Sequence, residues 1–78
     1  MFVTYILHSK TTGKYYTGQT SDLNRRIQEH NRGKTSGMAA GIPWEIVFSK
    51  MLNNRSEAIK LELTIKKRGA QRYLSDLK

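Results

Sequence analysis

Hydrophobic and polar positions along the 78-residue chain alternate between two periods. Residues 2–9, FVTYILHS, are dense in β-branched and aromatic side chains and predict a strand. Thr11-Thr12-Gly13-Lys14 is a turn signal, and residues 14–18, KYYTG, resume strand character. The short connection forces an antiparallel hairpin. Taking Thr12-Gly13 as a two-residue loop puts Tyr5 and Tyr16 on one face and Tyr15 on the other. A helical pattern follows in DLNRRIQEHNRG, with Thr20, Ser21 and Asp22 as candidate N-caps and Gly33 as the stop. Residues 34–42 are small and flexible and predict a loop. Pro43 opens WEIVFSKML, a third strand with Trp44, Ile46 and Phe48 on one face and Val47 on the other, broken by Asn53-Asn54. Ser56 caps a second helix, SEAIKLELTIKKR, which Gly69 ends; residues 70–77 have room for a short closing helix. The order β-β-α-β-α, with that extra C-terminal helix, predicts an α+β fold. A small three-stranded, mainly antiparallel sheet is covered by helices.

Projected at about 100° per residue, the second helix shows a broad apolar arc through Ala58, Leu61, Ile65, Ile59 and Leu63. Glu57, Lys60, Thr64 and Lys67 take the opposite side, but Glu62 lies inside the arc. A carboxylate there must be paired, protonated, bound to metal or at the rim of a cleft. The plain reading is a rim glutamate bridging to an arginine. In the first helix Arg26 and His30 are four apart and share a face beside Leu23 and Ile27, while Arg25 points toward water. Here the plain reading is an arginine lying over the core edge with a satisfied histidine. The two tyrosines of the hairpin can be ordinary packing, and Gly18 an ordinary turn glycine.

Composition narrows the partners. Fourteen Lys and Arg against six Asp and Glu give a net charge of +8, which makes polyanions the first partners to consider. The charge divides evenly between the halves of the chain, so it belongs to the fold and not to a tail. With no cysteine, disulfides and cysteine-ligated zinc are excluded. The chain is too short for a doubly wound sheet or a barrel, and residues 1–78 read as one domain. Neither a signal peptide nor a run of about 20 apolar residues is present, so a cytoplasmic home with no membrane partner is expected. Together, a tyrosine pair, an arginine, a histidine and one misplaced glutamate on a basic scaffold suit phosphodiester chemistry. One carboxylate can hold Mg²⁺ with waters and a phosphate oxygen. An arginine can stabilise charge on the phosphate, and a tyrosine or histidine can accept a proton from water.

At this point the chain resembles the GIY-YIG nuclease superfamily, in particular its small standalone members, which are similar to the N-terminal nuclease domain of the excision-repair incision subunit. The first family motif maps to Val3-Thr4-Tyr5 and the second to Tyr16-Thr17-Gly18. Arg26, eight residues past Gly18, stands at the spacing of the family's catalytic arginine, His30 at that of a frequent histidine, and Glu62 at that of its metal-binding glutamate. Val3 replaces the first motif's glycine, and Thr17 stands where isoleucine or valine is common. The loop KTSGMAAGIPW is poor in charge where many relatives are basic.

The resemblance implies a metal-dependent endonuclease acting on DNA, with Tyr5, Tyr16, Arg26, His30 and Glu62 catalytic and Glu62 holding a single Mg²⁺ or Mn²⁺. Lys14, Arg25, Arg32, Lys34 and Lys66 are expected to contact nucleic acid. The alternative is a catalytically weak or inactive nucleic-acid-binding module of the same fold. After Gly69 only nine residues follow. Selection by substrate structure, a protein partner or self-association is therefore expected to supply specificity.

Overall fold

The apolar run at the N-terminus forms β1 (Phe2–Ser9), in which Thr4, Tyr5, Ile6, Leu7 and Ser9 are all buried. A strand buried on both faces belongs in the middle of a sheet. The computed structural model, which describes residues 1–35 and 37–78, places it there, between β2 (Tyr15–Thr20) and β3 (Trp44–Leu52) in the order β2-β1-β3. Both pairings are antiparallel. Three helices complete the chain: α1 (Leu23–Asn31), α2 (Arg55–Arg68) and α3 (Ala70–Asp76), with a 3-10 turn at Ala39–Gly41.

Alternation along β1 divides the core. Tyr5 and Leu7 face Met38 and Trp44, with Tyr16, Leu23, Ile27 and Ile42 packed around them. Thr4 points the other way and donates to the Ala58 carbonyl of α2 at 2.8 Å. Helices therefore cover both faces of the sheet. Asn31 ties the end of α1 to β3, accepting from the Trp44 amide at 2.6 Å and donating to the Trp44 carbonyl at 3.0 Å. Arg68 makes a two-pronged pair with Asp76, at 2.8 and 3.1 Å, that folds α3 back along α2.

Several expectations shift. The hairpin loop spans four residues, not two, because Ser9 N–H donates to the Lys14 carbonyl at 2.8 Å and closes the turn one pair earlier. The register moves by an even step, so Tyr5 and Tyr16 still share a face: Tyr5 lies opposite Gly18 and Leu7 opposite Tyr16. The second strand starts at Tyr15 and runs on to Thr20. Asp22 is the α1 cap, accepting from the Arg25 amide at 3.2 Å. Asn54, not Ser56, caps α2, accepting from the Glu57 amide at 2.9 Å.

Trp44, Ile46 and Phe48 do not share a face. Ile46 pairs with Leu7 and Phe48 with Ile6, neighbours on opposite faces of β1, so a bulge at this point reverses the alternation. Phe48 consequently meets Tyr73 of α3 edge-on at 5.5 Å. The apolar arc of α2 is also only partly used. Ala58 and Ile65 are fully buried, but Ile59 and Leu63 remain 39% and 60% exposed. A three-stranded sheet spans only about 10 Å between its outer strands, hardly wider than the helix.

Candidate active site

Gly18 explains how the tyrosines come together. A Cβ at this position would lie 2.8 Å from the Tyr5 hydroxyl and 3.0 Å from Tyr16 Cε2. Its absence lets the Tyr5 ring cross the neighbouring strand and rest beside Tyr16, with centroids 6.3 Å apart. The helix spacing then delivers His30. Its Nε2 lies 3.2 Å from the Tyr5 hydroxyl, and its ring is 5.1 Å from that of Tyr16. His30 is completely buried, and its Nδ1 has no hydrogen-bond partner among the described residues, contrary to the expectation of a satisfied histidine.

Arg26 faces this group, with its side chain 36% exposed against 77% for Arg25. It also pairs with Glu29 at 3.2 Å, and this contact holds the Glu29 carboxyl below its ordinary range. Burial pushes the Tyr5 phenol up to about 12, opposed by Arg26 and reinforced by the charges of Tyr16 and Glu62. Burial lowers the His30 pKa, and the positive charge of Arg26 lowers it further. Tyr5 and His30 are thus both neutral near pH 7, next to a fixed positive charge.

Glu62 approaches from α2. Its side chain is 18% exposed, which agrees with its place in the apolar arc. Its partner is not an arginine but Lys66, one turn along, with Nζ 2.6 Å from Oε2. The i,i+4 spacing makes that lysine the nearest cation. Oε1 makes no hydrogen bond to protein among the described residues. No three His, Asp or Glu side chains lie close enough to form a metal cage among the described residues. Any ion held at Glu62 would therefore have fewer than three carboxylate or imidazole ligands among the described residues.

Two clefts flank the group. One, of about 620 Å³, is lined by Tyr15, Tyr16, Lys66, Arg68 and Arg72. The other, of about 290 Å³, is lined by Gln19, Arg25, Arg26, Glu29 and Arg55 among others. Of the basic residues expected at nucleic acid, Lys66 and Arg25 line these clefts. Lys14, Arg32 and Lys34 are exposed but line neither. Arg55, Arg68 and Arg72 were not among them. Reading Ser56 as the helix cap leaves Arg55 outside the helix, and the other two follow from the return of α3. Among the described residues, no helix is long and apolar enough to cross a membrane.

Comparison with known proteins gives the same outline. A family model described as the GIY-YIG catalytic domain matches residues 1–74. A UPF0213 protein of Streptococcus agalactiae is 33% identical over 75 residues, covering 95% of this chain and 84% of the relative. A UPF0213 protein of Photorhabdus laumondii is 37% identical over 71 residues, covering 90% and 67%. The solution NMR structure of a UPF0213 protein from Bacillus halodurans superposes with a TM-score of 0.59 at 34% identity, over 100% of this chain and 86% of that one.

Proposed function

Since the chain belongs to the GIY-YIG family, we propose that it is a divalent-metal-dependent endonuclease that hydrolyses phosphodiester bonds in DNA and selects its target by strand structure. The observation that carries this reading is the meeting of four elements at the Tyr5 hydroxyl. His30 touches it, the Tyr16 ring lies beside that of Tyr5, and Arg26 and Glu62 bias the titration of the phenol from α1 and α2.

The donor set suits a hard, hydrated ion. Among the described residues Glu62 keeps one carboxylate oxygen free of protein hydrogen bonds and belongs to no cluster of three His, Asp or Glu side chains, a poor site for zinc but compatible with Mg²⁺ or Mn²⁺. When bound, such an ion neutralises charge on the scissile phosphate and the leaving oxygen. Arg26 takes the remaining phosphate oxygens through its guanidinium fork. Tyr16, half-buried at the wall of the larger cleft, hydrogen-bonds the attacking water. Tyr5, held neutral by burial, positions Arg26 and His30. His30, also neutral, fixes the direction of the Tyr5 hydroxyl.

One observation favours a second reading, a nucleic-acid-binding module of this fold without useful turnover. Lys66 already neutralises Glu62 at 2.6 Å. A cleavage panel separates the two. The protein is incubated with branched, flapped, single-stranded and duplex DNA and with RNA, in Mg²⁺ or Mn²⁺, beside Glu62→Gln and Arg26→Ala. Cleavage by the wild type that both variants lose supports the nuclease. Binding with no cleavage of any substrate supports the module.

A further inference from the structure

The smaller cleft contains an arginine with no acidic partner among the described residues. Its lining includes three basic side chains, Arg25, Arg26 and Arg55, and two acidic ones, Asp22 and Glu29. Glu29 pairs with both Arg25 and Arg26, and Asp22 caps α1. The unmatched charge is Arg55, which makes no ion pair or side-chain hydrogen bond among the described residues. It is not free in solvent either, because its guanidinium lies over the Phe2 ring, 5.0 Å from the centroid. Stacking on an aromatic face restrains the group while leaving its N–H edge open. Gln19 lines the same cleft with Oε1 buried and without a partner among the described residues.

The helix relates this cleft to the site. On α2, Arg55, Glu62 and Lys66 fall within about 40° of one another, and Arg55 precedes Glu62 by about 10 Å along the axis. A nucleic-acid strand whose reacting phosphate sits at Glu62 and Arg26 would carry a neighbouring phosphate into reach of Arg55. We infer that Arg55, over the smaller cleft, binds a non-scissile phosphate of the strand being cut. The inference rests on the nuclease reading only for which phosphate is scissile; the contact itself is measured by binding.

The test uses the full chain in EDTA, where no metal is available for cleavage, and a fluorescently labelled flap DNA followed by anisotropy across a salt series. Arg55→Gln is expected to weaken binding about tenfold at low salt and to reduce the salt slope by about one. Arg55→Lys, which keeps the charge, should hold the wild-type slope and guards against a folding artefact. A set of probes, each with one neutral methylphosphonate linkage, then locates the contact. The penalty of Arg55→Gln should vanish at a single linkage, distinct from the one cut by the wild type in Mg²⁺. Equal affinity and slope for wild type and Arg55→Gln would overturn the inference, as would a penalty that vanishes at the cut linkage. An Arg55 effect in a protein that cuts nothing would sustain the contact and remove the nuclease reading.

Discussion

The Tyr5 hydroxyl stands 3.2 Å from His30 Nε2, and both side chains are closed to solvent. With Nδ1 unpartnered, this is the one side-chain hydrogen bond of the imidazole among the described residues. Tyr5→Phe removes it and strands both ring nitrogens in the core. A loss of about 1–3 kcal/mol in stability is expected, because a buried polar group then goes unmatched. Cleavage should fall by about 100-fold or more, the usual scale for a group that organises proton transfer. Urea titration and single-turnover cleavage give the two numbers independently.

The same pair sets the response to acid. His30 titrates below its ordinary value in the folded protein, chiefly because burial disfavours the imidazolium. The unfolded chain then binds more protons across the interval between the two values, so stability rises with pH there and is lost on acidification below about 6.5. Tyr5 works at the other end. Its pKa is raised to about 12, so the stability of the neutral, buried phenol is lost as pH climbs from 10. Thermal melting across pH should show a weakening at each end, with the acid one reduced in His30→Gln. Spectrophotometric titration should find one of the four tyrosines ionising last.

Two glycines separate the site from the scaffold. A methyl group at Gly41 would collide with the Trp44 indole, whose N–H is committed to the Met38 carbonyl at 3.0 Å. Gly41→Ala should cost about 3 kcal/mol through overpacking, a fall of more than about 10 °C in Tm. At Gly18 the added methyl meets the Tyr5 hydroxyl and Tyr16 instead. Gly18→Ala should therefore misplace the tyrosines and lose about 100-fold in cleavage, more than its loss of stability explains. Comparing rate with Tm for both variants checks the contrast.

Lys66 competes with any cation for Glu62. Lys66→Met should lower the Mg²⁺ concentration needed for half-maximal activity about two- to fivefold, the range of a half-exposed ion pair. Tb³⁺ luminescence sensitised by the nearby tyrosines measures the same competition without turnover. An unchanged or weaker ion affinity would show that the pair does not obstruct the site.

How much of this is legible before folding depends on range. The helical period alone separates Glu62 from Glu57 and Arg26 from Arg25, because a helix face is a local property. The Glu62–Lys66 pair is equally local, and expecting an arginine overlooks the lysine one turn away. The alternation of β1 places Tyr5 beside Leu7, and an even loop places Tyr16 with them. The bulge in β3 is not legible, because it exists only against the register of β1. Nor is the contact between Tyr5 and His30, 25 residues apart, which needs α1 laid across the sheet. Arg55 escapes notice for a third reason: the first residue of a helix carries no periodic signal, and its meaning comes from Phe2 and Glu29 around it.

The most direct measurement is the initial rate of flap-DNA cleavage against Mg²⁺ concentration, for wild type and Glu62→Gln, with binding in EDTA followed alongside. A saturable Mg²⁺ dependence, slowed by at least about 100-fold in the variant while binding holds, is the expected outcome for a carboxylate that carries the metal. Equal rates in the two proteins would contradict it.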